Sequence, residues 1–201
     1  MTQANQTEQH TLVALVEDKP GVLTKVASMF RRRGFNIASL AVGTSEKQSL
    51  SRMTFVVNGD DYTVGQVAKQ LDKLIDVIEV SDITNESIVT RELALIKVET
   101  TPITRGEIIQ IVNLFRANII DVASESMVIE ITGEEDKVNA LHNLLAPFGI
   151  IEMLRSGLVA MVRGPANVLA NGHSNGQING RSSIQKFRRI KLSERRTERK
   201  W

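Results

Sequence analysis

No cysteine occurs among the 201 residues. That excludes a disulfide scaffold, a thiol nucleophile, a CxxC metal carrier and thiolate zinc sites, and it is consistent with a reducing compartment. No apolar run approaches the ~18 residues needed to span a bilayer. Met1 to His10 is polar and lacks the apolar stretch of a secretory signal. The expected location is the cytoplasm, with no membrane partner. There are three histidines. His10 and His173 lie in polar termini, and His142 sits at the edge of an apolar stripe. No HExxH, P-loop or GxGxxG string is present. Asp60-Asp61 and Glu134-Glu135-Asp136 are adjacent acids, but each group stands in a turn before a helix, where capping and the helix dipole account for it. No catalytic or metal-ligating constellation emerges, and the chain is expected to hold no cofactor of its own.

The composition that is present, 42% apolar and 24% charged, is that of a soluble globular protein. The net charge of +2 hides an asymmetry. Residues 165–201 carry nine Lys and Arg against two Glu, a net of +7, which leaves −5 on the other 164 residues. The basic character belongs to the tail. That tail is rich in Asn, Gly and Ser and then in Lys and Arg, and it is expected to be disordered from residue 164 to 201, as is the N-terminus over 1–9.

Between these ends the periodicity changes in a regular order. Thr11 to Val16 reads as a strand. Leu23, Val26, Ala27 and Phe30 follow at helical spacing, with Gly34 as a stop. Ile37 to Thr44 and Ser51 to Asn58 are strands separated by a polar turn, the second with Met53, Phe55 and Val57 on one face. Val64, Val67, Ala68, Leu71, Leu74 and Ile75 mark a helix, and Val77 to Ile83 a strand. The order β-α-β-β-α-β is a ferredoxin-like unit. It recurs about 82 residues later, where Asn118-Ile119 falls opposite Asn36-Ile37. The last strand, Ile150 to Met161, is interrupted near Arg155-Ser156-Gly157. The fold class is therefore α+β: one unit at 10–84, a linker at 85–90 and a second unit at 91–163.

The stretch Glu17-Asp18-Lys19-Pro20-Gly21-Val22-Leu23 carries the chemistry. It feeds the first strand into the first helix through a Pro-Gly hinge. Pro20 suits the first helical turn. Gly21 lets a ligand approach the backbone. The N–H groups around Val22 and Leu23 lack intrahelical partners and lie at the positive end of the helix dipole, which suits a carboxylate. Asn36 leaves the helix at its other end. It reads equally as a helix C-cap or as an amide that binds a carboxylate and an ammonium. The second unit has Thr100-Thr101-Pro102-Ile103-Thr104-Arg105-Gly106 in place of the hinge, so a different task is expected of it.

Leu12 to Val16 with the Asp-Lys-Pro-Gly hinge resembles an ACT domain, an amino-acid-sensing ferredoxin-like module. Further phrases are more specific. They are Arg33-Gly34-Phe35-Asn36-Ile37-Ala38-Ser39-Leu40, Leu50-Ser51-Arg52-Met53-Thr54, Gln70-Leu71-Asp72-Lys73-Leu74-Ile75-Asp76-Val77, Arg91-Glu92-Leu93-Ala94-Leu95-Ile96-Lys97-Val98 and Phe115-Arg116-Ala117-Asn118-Ile119-Ile120-Asp121-Val122. Together, over roughly residues 10–163, they resemble the small regulatory subunits of acetolactate synthase (acetohydroxyacid synthase). The resemblance implies a catalytic large subunit as partner, carrying thiamine diphosphate, magnesium and FAD, which condenses two pyruvates to 2-acetolactate. It implies that the small subunit raises this activity and imposes feedback inhibition by valine, in some members by leucine or isoleucine. The effector is then expected between the ACT units of a homodimer. The family's contact positions fall on Asp18, Gly21, Val22, Leu23 and Asn36, with Thr24 and Gly43 beside the pocket. The second unit is expected to help activate the large subunit.

Two rival functions follow from the same pattern. A free-standing ACT-type sensor would act on another enzyme. An RNA-binding sheet would need aromatics on its central strands, where Phe55 is alone, and a basic body, which this chain lacks. No nucleic acid is expected as a partner.

Overall fold

The computed structural model describes residues 8–164. The expected disorder of the tail and of the first seven residues lies outside them. The chain divides into two compact units, the first within residues 8–88 with 162–164 and the second over 89–161.

The first unit runs β1 (Glu8–Glu17), α1 (Val22–Arg33), β2 (Ile37–Thr44), β3 (Leu50–Gly59), α2 (Asp61–Asp72) and β4 (Val77–Asp82). Its sheet has the order β2-β3-β1-β4 and all neighbours are antiparallel. This is the ferredoxin-like arrangement. Glu8 and Gln9, expected in the disordered N-terminus, pair in β1 with Gly59 and Asn58. Leu12, Ala14 and Val16 alternate onto the helix-covered face, where Met53, Phe55 and Val57 meet Val26, Phe30, Val67 and Leu71. Phe30 stacks on Phe55 with centroids 5.4 Å apart. Phe55 is thus a core ring, turned away from any surface where a base could stack.

On the other face of the sheet Thr11, Val13, Leu15, Thr54 and Val56 are also buried. The reason is legible in the unbroken apolar run of β1, since a strand buried on both faces loses its alternation.

The second unit runs β5 (Ile88–Glu99), α3 (Arg105–Leu114), β6 (Asn118–Val122), β7 (Ser126–Gly133), α4 (Glu135–Leu145), β8 (Ile150–Arg155) and β9 (Val159–Val162). The order β6-β7-β5-β8 repeats the first sheet, and β9 also pairs with β5. The expected break in the last strand is the gap between β8 and β9. Because β5 begins at Ile88, the segment expected as a linker is shorter, with residues 88–90 in a strand. Ala94, Ile96, Val98, Met127, Ile129 and Ile131 pack on Ile108, Val112, Val138 and Leu141. The acids before helices behave as turn residues. Asp60 accepts a hydrogen bond from the Thr63 N–H at 2.7 Å. Glu134 caps no N–H and instead pairs with Arg91 at 3.2 Å.

Candidate ligand-binding site

The hinge is a tight turn placed before the helix, not within it. The Val22 N–H reaches back to the Lys19 carbonyl at 3.4 Å, and Gly21 has φ 88° and ψ −10°. That is a type II turn with Pro20 at its second position and Gly21 at its third, where positive φ favours glycine. Pro20 is therefore outside α1, contrary to the expectation from sequence. The first helical bond runs from the Lys25 N–H to the Gly21 carbonyl at 3.0 Å. Among the described residues the N–H groups of Leu23 and Thr24 have no acceptor. No side chain caps this end, and its first turn holds no acid. An anion is the complement such a terminus lacks.

The predicted residues differ in what they can offer. Val22 is 3% exposed and Leu23 47% exposed. The buried stripe of α1 is Val22, Val26, Met29 and Phe30. Val22 therefore faces the core and Leu23 the outside; Val26 and Phe30 lie in the buried stripe as expected, whereas Val22 and Met29 take the places expected for Leu23 and Ala27. Space above Gly21 is open, since a Cβ built there meets nothing within 4 Å. Asp18 is exposed, and its N–H binds the Ser49 carbonyl at 2.8 Å. Its carboxylate has no ion-pair partner among the described residues. Glu17, Asp18 and Lys19 line an open cleft with Lys47, Gln48, Ser49 and Leu50. Ser49 has a positive φ of 63°, uncommon outside glycine, which turns the chain sharply beside the hinge.

Asn36 lies elsewhere. Gly34 ends α1 at φ 70°, and the Phe35 N–H bonds the Phe30 carbonyl at 3.1 Å in a Schellman closure. The cap position is thus filled by Gly34. Asn36 is exposed, with no side-chain partner among the described residues. It precedes Ile37, which stands opposite Val57 at the His10 end of the sheet. The hinge, with Gly43 and Thr44, stands at the opposite end, beside Glu17 and Leu50. The 12 residues of α1 separate the two ends, a span of about 18 Å at 1.5 Å per residue. One chain brings Asp18, Gly21, Leu23 and Thr24 together and leaves Asn36 apart from them.

Sequence reasoning missed the group that anchors the hinge. Asp76, 2% exposed, accepts from Lys19 Nζ at 2.8 Å and from Lys25 Nζ at 2.5 Å. Lys19 also pairs with Glu17. The hydrogen bond from Lys19, then that from Lys25, holds the Asp76 carboxyl below the ordinary carboxylate value. Asp76 holds Lys19 above the ordinary lysine value, and Glu17 adds to the effect. The partners are more than 50 residues apart in the chain. The available signal was a lone acid between the apolar residues Ile75 and Val77.

The second unit has a differently bonded loop at this place. The Thr101 N–H donates to Thr104 Oγ1 at 2.9 Å, and the Thr104 N–H to Thr101 Oγ1 at 3.2 Å. Arg105 Nη2 spans the carbonyls of Ala123 and Ser124 at 3.0 and 2.8 Å. Its Nε is buried without a partner among the described residues. Gly172-His173-Ser174-Asn175-Gly176 spells a G-x-S-x-G string that sequence reading overlooked; it lies outside the described residues. No helix among the described residues is long and apolar enough to cross a membrane.

Comparison with known proteins decides between the rival readings. The family described as "AHAS small subunit-like ACT domain" matches residues 12–79, and "Small subunit of acetolactate synthase" matches residues 91–164. The chain belongs to the acetolactate synthase small-subunit family. A probable acetolactate synthase small subunit of Archaeoglobus fulgidus is 60% identical over 156 residues, which is 78% of this chain and 98% of that protein. The acetolactate synthase small subunit of Mycolicibacterium smegmatis is 54% identical over 162 residues, 81% of this chain and 95% of that protein. Among solved structures, the acetolactate synthase small subunit of Thermotoga maritima is similar at a TM-score of 0.73 and 46% identity. The match covers 79% of this chain and 99% of that one. Membership in the small-subunit family runs through both units and stops where the basic tail begins.

Proposed function

We propose that this chain is the regulatory subunit of an acetolactate synthase, sensing valine, or leucine or isoleucine, at the junction of two ACT units. The observation that carries the site is the separation of two open half-sites along α1. One holds the Leu23 and Thr24 N–H groups, free for a carboxylate, and the Asp18 carboxylate, free for an ammonium. The other holds the Asn36 amide. An amino acid is far too small to reach both within one chain. Strand β2 is an edge of its sheet, with main-chain groups available for pairing. Two-fold pairing along β2 runs the strands in opposite senses. Asn36 of one copy then comes to the hinge of the other, and the symmetry completes both sites at once.

The second unit, which lacks the Asp-Lys-Pro-Gly hinge, serves the large subunit and not the effector. Thiamine diphosphate, magnesium and FAD belong to that large subunit. A free-standing sensor for another enzyme would leave the family match over residues 91–164 without a role.

Gly21→Asp tests the assignment. A φ of 88° strains any side chain, but Asp tolerates it better than most residues and the space there is open, so a carboxylate is placed at the anion position. With the large subunit reconstituted, valine inhibition is expected to be lost and activation retained. The purified variant and wild type alone are expected to make no acetolactate from pyruvate. An unchanged valine response in the variant overturns the site.

A further inference from the structure

Asp76 follows α2 at the entry to β4 and bonds to both sides of Gly21. Its main-chain carbonyl accepts from the Glu17 N–H at 2.9 Å. Its Oδ1 accepts from Lys19, two residues before the glycine, at 2.8 Å. Its Oδ2 accepts from Lys25, four residues after it, at 2.5 Å. Lys25 is also the residue whose N–H opens the helical bonding of α1, onto Gly21 itself. No side chain caps this helix end. The ties from Asp76 therefore fix the angle at which β1 enters α1.

The energetics are lopsided. The carboxylate side chain is 3% exposed, whereas Lys19 and Lys25 are 48% and 52% exposed. Charge-assisted bonds to a desolvated acceptor are the stronger kind. Removing that acceptor's charge frees both lysines to swing into water. With Asp76 and Glu17 beside them, the two lysines already have anionic partners within the chain.

We infer that Asp76 is a positioning residue for the effector. It holds the segment Glu17–Lys25 in the one geometry that presents the Leu23 and Thr24 N–H groups, and so sets effector affinity without touching the effector. The inference rests on the reading that this hinge binds a branched-chain amino acid. It assigns Lys19 and Lys25 to the scaffold and not to the effector's carboxylate.

The test uses the full chain reconstituted with its large subunit and titrated with valine, leucine and isoleucine. Asp76→Asn is expected to raise the half-inhibitory concentration about ten-fold, the scale on which residues without ligand contact modulate coupling. Activation without effector should stay at the wild-type level. Lys25→Met, a change at a half-exposed side chain, should raise it less, and the double variant should be no worse than Asp76→Asn alone. Additive losses would make Lys25 a direct ligand and overturn the scaffold assignment. Inhibition and activation failing in parallel would show a general structural role and overturn it too. If Asp76→Asn does not fold, an unchanged response in Lys25→Met overturns the inference. A wild type unresponsive to all three amino acids removes the proposed function and this inference with it. A responsive wild type with unaltered variants removes the inference alone.

Discussion

At the scale of single residues, the ion group around Asp76 makes stability depend on pH in a defined direction. A carboxyl whose pKa is lower in the folded chain than in the unfolded one stabilises the fold above the ordinary carboxylate range. That contribution fades as pH falls through that range toward the folded value. Lys19 has the opposite sign. Its raised pKa stabilises below the ordinary lysine range and is lost as pH rises through the folded value. Because Lys19 is half in solvent, its share is screened and small. Wild type should therefore exceed Asp76→Asn in Tm at neutral pH. The gap should narrow as pH drops below about 4, where the unfolded carboxyl takes its proton. Thermal unfolding monitored by circular dichroism across that interval measures it, and a gap independent of pH would show that the carboxylate charge is not what Asp76 contributes.

At the scale of elements, α1 divides its work between faces, and adjacent residues fall on different sides. Val22 begins the buried stripe and Leu23 faces outward. Val22→Ala should cost about 2 kcal/mol, from two buried methyl groups at roughly 0.8 kcal/mol each plus a small cavity. Leu23→Ala should leave denaturant midpoints nearly unchanged while altering the effector response. Equal destabilisation by both would mean that Leu23 is packed, contrary to its exposure. Much of this was legible beforehand. The helix and strand order, Gly34 as a stop and the break after Arg155 follow from local chemistry. Val26 and Phe30 were placed correctly, but Leu23 and Ala27 were read into the stripe because they satisfy helical spacing with them as well as Val22 and Met29 do. Pro20 was read into the helix because a proline fits both a first helical turn and the second position of a type II turn. The positive φ of Gly21 selects the turn, and φ is not visible in sequence. Asp76 escaped because an ion group between distant residues leaves no periodic trace.

At the scale of the whole molecule, the question is what residues 165–201 add to a body that the family matches end at residue 164. The relative from Archaeoglobus fulgidus aligns over 98% of its own length with 78% of this chain. Nearly all of that protein therefore has a counterpart in this one, whereas about a fifth of this chain lies outside the alignment. The tail's net +7 against −5 on the remainder gives it attraction for acidic surfaces. Such attraction is screened over about 8 Å at physiological salt. A chain ending at Gly164 should keep activation of the large subunit and valine inhibition at moderate salt. At low salt it should bind the large subunit more weakly than the full chain does. Comparing the concentration of small subunit needed for half-maximal activation at two ionic strengths separates these outcomes. Loss of activation at moderate salt would make the tail a docking element and move the main contact with the large subunit out of the second unit. If the two chains match at both salt concentrations, its charge plays no part in assembly, and activation belongs to residues 1–164.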